Sequence, residues 1–371
     1  MLALACFGFS LVVGHTAPGQ AQAKQVYDRA VQLEREGNYP ASLSLLWEAA
    51  GLAPHDADIQ NRLGEALERI GALDAAVAAY RMAVQERPEF RKASNNLILA
   101  LVKVGKGTEA VDRARALVTD DPKDPDRYFT LGLAQSEQNI DDAIASFRRT
   151  LDLAPRHTLA RYNLALVLNR SDHVSESIEE LKRALASDPQ PQIHYTIGVI
   201  YWHQGNFDSA VTELKAAIAQ QPNYADAHYT LGSVLKSRKD WKGAADALRR
   251  AIALRPDSAT HYTLAQVLQQ SGDETGAKAE FAESERLRQR TEADQRASVW
   301  TAVGVERLEA GDAAGSIDLF QRAVAASDQY APAFYQMGRA LQRLGKAPEA
   351  REAFSRAAKL NPGLVAPAIH K

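Results

Sequence analysis

Three histidines recur at equivalent places along the chain, a pattern that suggests a metal site. His194, His228 and His261 are about 33 or 34 residues apart. A metal ligand bond spans roughly 2 Å, whereas equivalent residues of stacked helical segments lie about 10 Å apart or more. The same place carries Trp300 and Phe334 further along the chain. The spacing therefore predicts separate side chains between helices, with no metal bound.

Two short motifs resemble those of enzymes. Residues 105–108 read Gly-Lys-Gly-Thr, like the end of a phosphate loop, but Ala100 stands where that loop needs a glycine and no strand precedes it. Ser233 and Lys236 match a Ser-x-x-Lys pattern, but the Ser-Asp-Asn and Lys-Thr-Gly motifs that accompany it in penicillin-interacting enzymes are missing. We therefore predict a chain that is not an enzyme, with no catalytic residues and no cofactor.

The composition excludes further classes of function. The 371 residues carry 44 Lys and Arg against 46 Asp and Glu, a net charge of −2. Nucleic-acid binding needs a clustered basic surface, so no nucleic-acid partner is expected. The single cysteine, Cys6, cannot form an internal disulfide or a cysteine metal cage. The only long apolar run is shorter than the roughly 20 residues that span a bilayer, so no membrane span is predicted.

Residues 1–23 resemble a secretory signal peptide. Residues 2–13 are apolar, and Ala21-Gln22-Ala23 has the small-x-small pattern of a cleavage site. Cleavage there would remove Cys6, which would otherwise be a free thiol in an oxidising compartment. No Lys or Arg precedes the apolar run, and the alternative is an apolar N-terminal helix of a cytoplasmic protein. We expect an exported protein, periplasmic or secreted, that begins at Lys24.

After the leader the chain repeats. Prolines recur at successive spacings of about 33 or 34 residues, namely Pro54, Pro88, Pro122, Pro155, Pro189, Pro222 and Pro256. Each unit contains two stretches of helical periodicity, and the proline ends the second because it has no N–H and clashes with the preceding turn. Such a helical hairpin cannot bury its apolar face alone and must stack on its neighbours.

These units resemble the tetratricopeptide repeat (TPR) family over nearly all of the chain after the leader. The small residue of the first helix is present in every unit except the third, which has Ile98: Ala30, Gly64, Gly132, Ala165, Gly198, Gly232, Ala265, Gly304 and Gly338. A large residue of the second helix recurs except in the third unit, which has Ala114: Leu46, Tyr80, Phe147, Leu181, Leu214, Leu248, Phe281, Phe320 and Phe354. The resemblance implies an all-α, right-handed superhelical solenoid of about ten helix-turn-helix TPR units.

The period breaks in two places. No proline or glycine interrupts residues 280–297, a charged segment without an apolar stripe, which predicts one elongated, solvated helix. We therefore divide the mature chain into repeats one to eight with an extended last helix, residues 24–290, and repeats nine and ten with a short tail, residues 291–371. Only Gly363 to Lys371 follow the last repeat, so little covers the edge beside Phe354.

One place on the first helices is aromatic in most repeats. In TPR proteins the first helices line the concave groove, and the resemblance points this place into it. The predicted partner-binding residues are this aromatic row with its neighbours one and two turns on: Phe129, Tyr162, Tyr195, Trp202, Tyr229, Lys236, Tyr262, Gln266 and Gln269. Tyrosine offers a large contact area and a hydroxyl for backbone amides, although it is also common here for packing alone.

Asn61 and Asn95, with Lys92 and Arg62, resemble the basic clamp with which some TPR domains hold a chaperone's C-terminal carboxylate. Because acidic residues such as Glu65 crowd the same place, we interpret these side chains as solvated polar residues.

The expected function is a non-catalytic scaffold that binds a peptide segment or helix of a partner protein in the concave groove. One alternative is an assembly module that associates with itself through the poorly covered C-terminal edge. The other is the repeat portion of an accessory glycosyltransferase-type enzyme.

Overall fold

The apolar periodicity of the sequence is expressed as helices throughout the part of the chain that the structure describes. A computed structural model describes residues 18–364, in which every regular element is an α-helix. By contact clustering the chain forms two compact units, residues 1–146 and 147–371, and the division falls within one helix. The expected leader, residues 1–17 of it, and the tail from Val365 on lie outside the described residues.

The first unit contains the helices of repeats one to three and the first helix of repeat four. They are α1 (Pro18–Arg35), α2 (Tyr39–Leu52), α3 (Ala57–Arg69), α4 (Leu73–Glu86), α5 (Arg91–Lys103), α6 (Gly107–Asp120) and α7 (Pro125–Gln135), followed by α8 (Ile140–Leu153), which runs into the second unit.

The second unit continues the pairs through the last repeat. Its helices are α9 (Thr158–Arg170), α10 (Val174–Ser187), α11 (Pro191–His203), α12 (Phe207–Gln220), α13 (Ala225–Ser237), α14 (Trp241–Leu254), α15 (Ser258–Ser271), α16 (Glu274–Glu309), α17 (Ala313–Ala326), α18 (Ala331–Arg343) and α19 (Ala347–Leu360). Because α16 serves as the second helix of repeat eight and the first helix of repeat nine, these helices make ten units, and the predicted all-α TPR solenoid is confirmed.

Proline and the turn between the helices set the helix boundaries. Each second helix with a repeat proline ends two residues before it, as α12 ends at Gln220 before Pro222. The turn inside the hairpin needs a left-handed residue, which Gly205 supplies with φ 74°. Asp172 and Lys239 adopt the same conformation without being glycine, with φ 64° and 62°. The turn is therefore retained even where the sequence lacks the preferred residue.

The small residue of the first helix meets the large residue of the second within one hairpin. A Cβ added at Gly198 would lie 2.8 Å from Leu214 Cγ, and one added at Gly304 would lie 2.5 Å from Phe320 Cε1. Close approach of the two helices leaves no room there. The third repeat reverses the sizes, with Ile98 on the first helix and Ala114 on the second, both fully buried.

The expected elongated helix is α16, which runs over 36 residues from Glu274 to Glu309 without a turn. None of its residues from Glu285 to Arg296 is buried. Arg288 instead forms ion pairs along the helix with Glu285 and Glu292, at 2.7 and 2.5 Å. This central stretch is solvated, as its lack of an apolar stripe predicts.

The first helix begins before the predicted cleavage site. α1 starts at Pro18, so the boundary between Ala23 and Lys24 falls inside a helix. Ala23 is 1% exposed and belongs to the core of the first unit.

Candidate binding surface

The structure divides the predicted partner-binding residues between the two units. Phe129 is half-buried on α7 of the first unit. The other eight lie on the first helices of repeats five to eight in the second unit, on α9, α11, α13 and α15. We call four of them the tyrosine row: Tyr162, Tyr195, Tyr229 and Tyr262.

The tyrosine row begins with a hydrogen bond between neighbouring repeats. Tyr162 Oη lies 3.0 Å from Thr196 Oγ1. Because Thr196 donates its own proton to the carbonyl oxygen of Gln192, the tyrosine hydroxyl is the donor to Thr196. Tyr162 therefore joins the first helices of repeats five and six through its polar end.

The next tyrosine stacks on an aromatic residue that the sequence did not single out. The rings of Tyr195 and Tyr224 are 5.1 Å apart with an interplanar angle of 40°. Burial raises the pKa of the Tyr224 hydroxyl to about 12, with smaller contributions from Tyr195, Asp226 and Tyr162. Tyr224 stands immediately before α13, where Phe90 and Tyr330 stand in other repeats, and that recurrence is the signal that could have identified it.

The far end of the surface is more open. Tyr262 is 50% exposed, and its ring meets Phe281 edge to face at 5.4 Å. Lys236 Nζ donates to Gln266 Oε1 at 2.5 Å, which joins repeats seven and eight. Gln269 is exposed one turn further on. This end therefore offers aromatic, amide and ammonium groups to solvent.

The remaining members of the set are less accessible. Trp202 is half-buried, packs against the core cluster of repeats six to eight, and stacks on His203 at 5.6 Å. Tyr229 is half-buried and packs on the same cluster, while its carbonyl oxygen accepts a hydrogen bond from Ser233. These two side chains therefore contribute both to packing and to the exposed face.

An ion pair borders the stacked tyrosines. Arg255 donates to Asp226, and this contact raises the pKa of the guanidinium through the hydrogen bond first and the charge of Asp226 second. The surface of repeats five to eight thus combines hydroxyl, amide and aromatic groups with few charges. Such a set suits the backbone and apolar side chains of a polypeptide.

The three recurring histidines each have a partner nearby in sequence. His194 Nδ1 lies 2.7 Å from Glu213 Oε2, and His261 Nδ1 lies 2.5 Å from Glu280 Oε2, in both cases across the hairpin. His228 Nε2 lies 3.0 Å from the carbonyl oxygen of Pro222. These side chains fill the space between helices, and within residues 18–364 no group of three or more His, Cys, Asp or Glu side chains is placed to hold a metal.

The equivalent face of repeats two and three, in the first unit, is built from charges that are already paired. Arg62 lies 2.6 Å from Glu34 and 3.0 Å from Glu65, and Lys92 lies 2.6 Å from Glu65. Asn61 donates to Glu65 and is only 4% exposed. Our interpretation of Asn61 as solvated is therefore wrong, because the neighbouring repeats bury it within an ion-pair network.

Glu65 is the centre of this network. Burial raises the pKa of its carboxyl, but the hydrogen bond and charge of Lys92, with hydrogen bonds from Arg62 and Asn61, outweigh burial and hold the pKa below its ordinary value. The two basic residues that would hold a partner's carboxylate are therefore engaged by acidic residues of the chain itself.

One further property concerns the helices as a whole. Along residues 18–364, none of them combines the length and apolar character that crossing a bilayer requires.

Comparisons with known proteins agree with this architecture. Sequence profiles described as "Tetratricopeptide repeat" match residues 27–89 and 195–259, residues 134–198, and residues 331–364. Protein O-mannosyl-transferase TMTC3 of Homo sapiens is 26% identical over 211 residues, which cover 52% of this chain and 23% of that protein. This chain therefore spans less than a quarter of the length of that relative.

Solved structures show the same fold. A tetratricopeptide repeat protein from Parabacteroides merdae ATCC 43184 is 15% identical with a TM-score of 0.53, over 67% of this chain and 99% of that one. TTC0263, a thermophilic TPR protein of Thermus thermophilus, is 24% identical with a TM-score of 0.43, over 48% and 98% of the two chains. With the profile matches spread over more than half of its length, the chain belongs to the tetratricopeptide repeat family.

Proposed function

We propose that this protein is a non-catalytic interaction scaffold that binds a peptide segment or helix of a partner protein on the first helices of repeats five to eight. The observation that carries the proposal is the tyrosine row, in which Tyr162, Tyr195, Tyr229 and Tyr262 occupy one equivalent place on four successive first helices. Tetratricopeptide repeat proteins bind protein partners, and this row is the most aromatic part of the corresponding face.

The chemistry of the row favours a polypeptide. Tyrosine contributes a large apolar area while losing little conformational entropy, and its hydroxyl can bond to a backbone amide. Lys236 and Gln269 add side-chain donors beside it, and Tyr262 has half of its surface free for contact. A bound segment would exchange water for aromatic contacts along several repeats in succession.

The test removes two tyrosines from the middle of the row. A peptide that binds the wild-type protein is first selected from a displayed random-peptide library, and its affinity is measured by fluorescence anisotropy. We expect Tyr195→Ala with Tyr229→Ala to weaken binding by about 2–4 kcal/mol, as for aromatic hot spots, with a modest change in thermal unfolding.

Trp47→Ala is the matched control. Trp47 is 52% exposed on a second helix of the first unit, so it presents a comparable aromatic surface away from the row. We expect the control to bind the peptide as the wild type does. Equal affinity of the wild type and the double variant would remove the proposal.

The similarity to TMTC3 supports a second candidate function. That relative is named as a protein O-mannosyl-transferase, and its matched part corresponds to 52% of this chain. In this alternative the repeats accompany a glycosyltransferase activity and hold its protein substrate. Transfer of mannose to a protein by the purified chain, or by a complex copurified with it from the native cell, would favour this alternative over a simple scaffold.

We further propose that the protein is exported and begins at Lys24 after cleavage. Support comes from the apolar leader and the small-x-small pattern of residues 21–23. Fusion of residues 1–30 to a reporter that is active only outside the cytoplasm should give a signal, and the native protein should read Lys24 at its N-terminus. An intact Met1 on the native protein would contradict export by cleavage.

A further inference from the structure

Repeat nine exposes two apolar residues that correspond to buried positions elsewhere. In repeat six, Ile193 and Ile197 precede the small first-helix residue by five and one positions, and they are 2% and 0% exposed. The equivalent residues of repeat nine are Val299 and Val303 on α16, which are 63% and 39% exposed. Repeat nine thus has a stacking face that nothing covers within residues 18–364.

The continuous helix α16 explains the exposure. In the other repeats a turn folds the preceding second helix against this face, whereas α16 runs straight from repeat eight into repeat nine. Repeat eight is also not built to cover it. Trp241 and Ala245, which face the next repeat in repeat seven, correspond to the exposed residues Glu274 and Lys278.

The exposed valines lie in a stripe with self-complementary charges. Arg296, Val299, Val303 and Glu306 follow one another at spacings of three, four and three residues, which places them on one side of the helix as in a coiled-coil seam. Arg296 and Glu306 are exposed, and neither side chain has an ion-pair partner in the described part of the chain. They lie at equal distances on either side of the midpoint between the valines.

We propose that a second copy of this chain docks on this α16 stripe, with the two helices antiparallel about a two-fold axis. In that arrangement Val299 of each copy meets Val303 of the other, and Arg296 meets Glu306 twice. A two-fold interface is self-complementary in this way. The stripe supplies less apolar area than a stable dimer buries, so the dimer is weak and concentration-dependent.

Sedimentation equilibrium of the full chain tests the proposal by exchanging the charges. We expect a wild-type dimer with a dissociation constant of roughly 10–100 µM. Arg296→Glu alone and Glu306→Arg alone each place like charges together at two points, and each should weaken the dimer by about tenfold or more. The combined Arg296→Glu and Glu306→Arg variant restores both pairs and should return to within about threefold of the wild type.

A separate variant probes the apolar centre. Val303→Glu should also abolish the dimer, while thermal unfolding followed by circular dichroism stays unchanged because the residue is already exposed. Arg351→Glu, on the exposed side of α19 at the C-terminal edge, is the matched control and should leave the dimer intact.

Three results would overturn the proposal. The first is a wild-type chain that stays monomeric up to roughly 500 µM. The second is a combined charge variant that is as weak as the single ones, because the two charges would then not face each other. The third is a dimer that Arg351→Glu dissociates and Arg296→Glu does not, which would place the interface at the C-terminal edge.

Discussion

Replacement of Gly64 by alanine tests the packing rule on which every hairpin depends. A Cβ at Gly64 would lie 2.5, 2.6 and 2.9 Å from three ring atoms of Tyr80. The ring has little freedom to move, because Tyr80 is fully buried and its hydroxyl donates to Glu68 at 2.9 Å. The added methyl therefore forces the two helices of repeat two apart.

The expected cost follows from two opposing effects. Alanine is better than glycine in a helix by about 1 kcal/mol, whereas an extra carbon in a filled core costs about 1–3 kcal/mol. The upper part of that range applies here since three rigid ring atoms are involved. We expect Gly64→Ala to destabilise repeat two by about 1–2 kcal/mol.

Gly51→Ala is the matched control in the same unit. Gly51 lies in α2, and a Cβ there would meet nothing within 4 Å. Only the helix preference remains, so this variant should gain about 0.5 kcal/mol. Amide hydrogen exchange of the full chain, compared for α1 to α4, measures both changes, because a repeat array opens locally. Stabilisation of equal size in both variants would refute the packing argument.

Two further predictions follow from the ion-pair network and from the long helix. The folded-state pKa of Glu65 lies below its ordinary value of 4.5, so its contribution to stability is complete above that pH and is lost as the pH falls through the folded-state pKa. Glu65→Gln should cost about 1–3 kcal/mol at neutral pH, and urea unfolding should show this difference from the wild type disappear in acid; a pH-independent difference would contradict the assignment. Because residues 285–296 bury no side chain, repeats nine and ten should exchange amide hydrogens before the central repeats around Gly198 and Gly232. Protection from Val299 through Leu360 that equals the central repeats would show that the long helix couples both blocks.

The candidate binding surface was predictable only in part. The equivalent place of the tyrosine row could be read from the period, because each residue stands three positions before the small residue of its first helix. Tyr224 was missed, since it precedes its helix and reaches Tyr195 only when repeats six and seven stack. The burial of Asn61 was missed for the same reason, because its partners include Asn96 of the next repeat.

The sequence by itself determined the hairpins, because their rules are local. A proline ends each marked second helix, and a small residue on the first helix faces a large one on the second, as Gly338 faces Phe354. Even the exception in repeat three follows the rule, since Ile98 is matched by the small Ala114.

Only the tertiary structure decided which apolar and polar residues meet solvent. Val303 and Leu264 occupy the same place in their repeats, yet Val303 is 39% exposed and Leu264 is fully buried. The difference depends on whether the preceding hairpin folds back, which the uninterrupted helix α16 prevents. Burial in a repeat array is a property of the interface between units, and residue type at one position does not determine it.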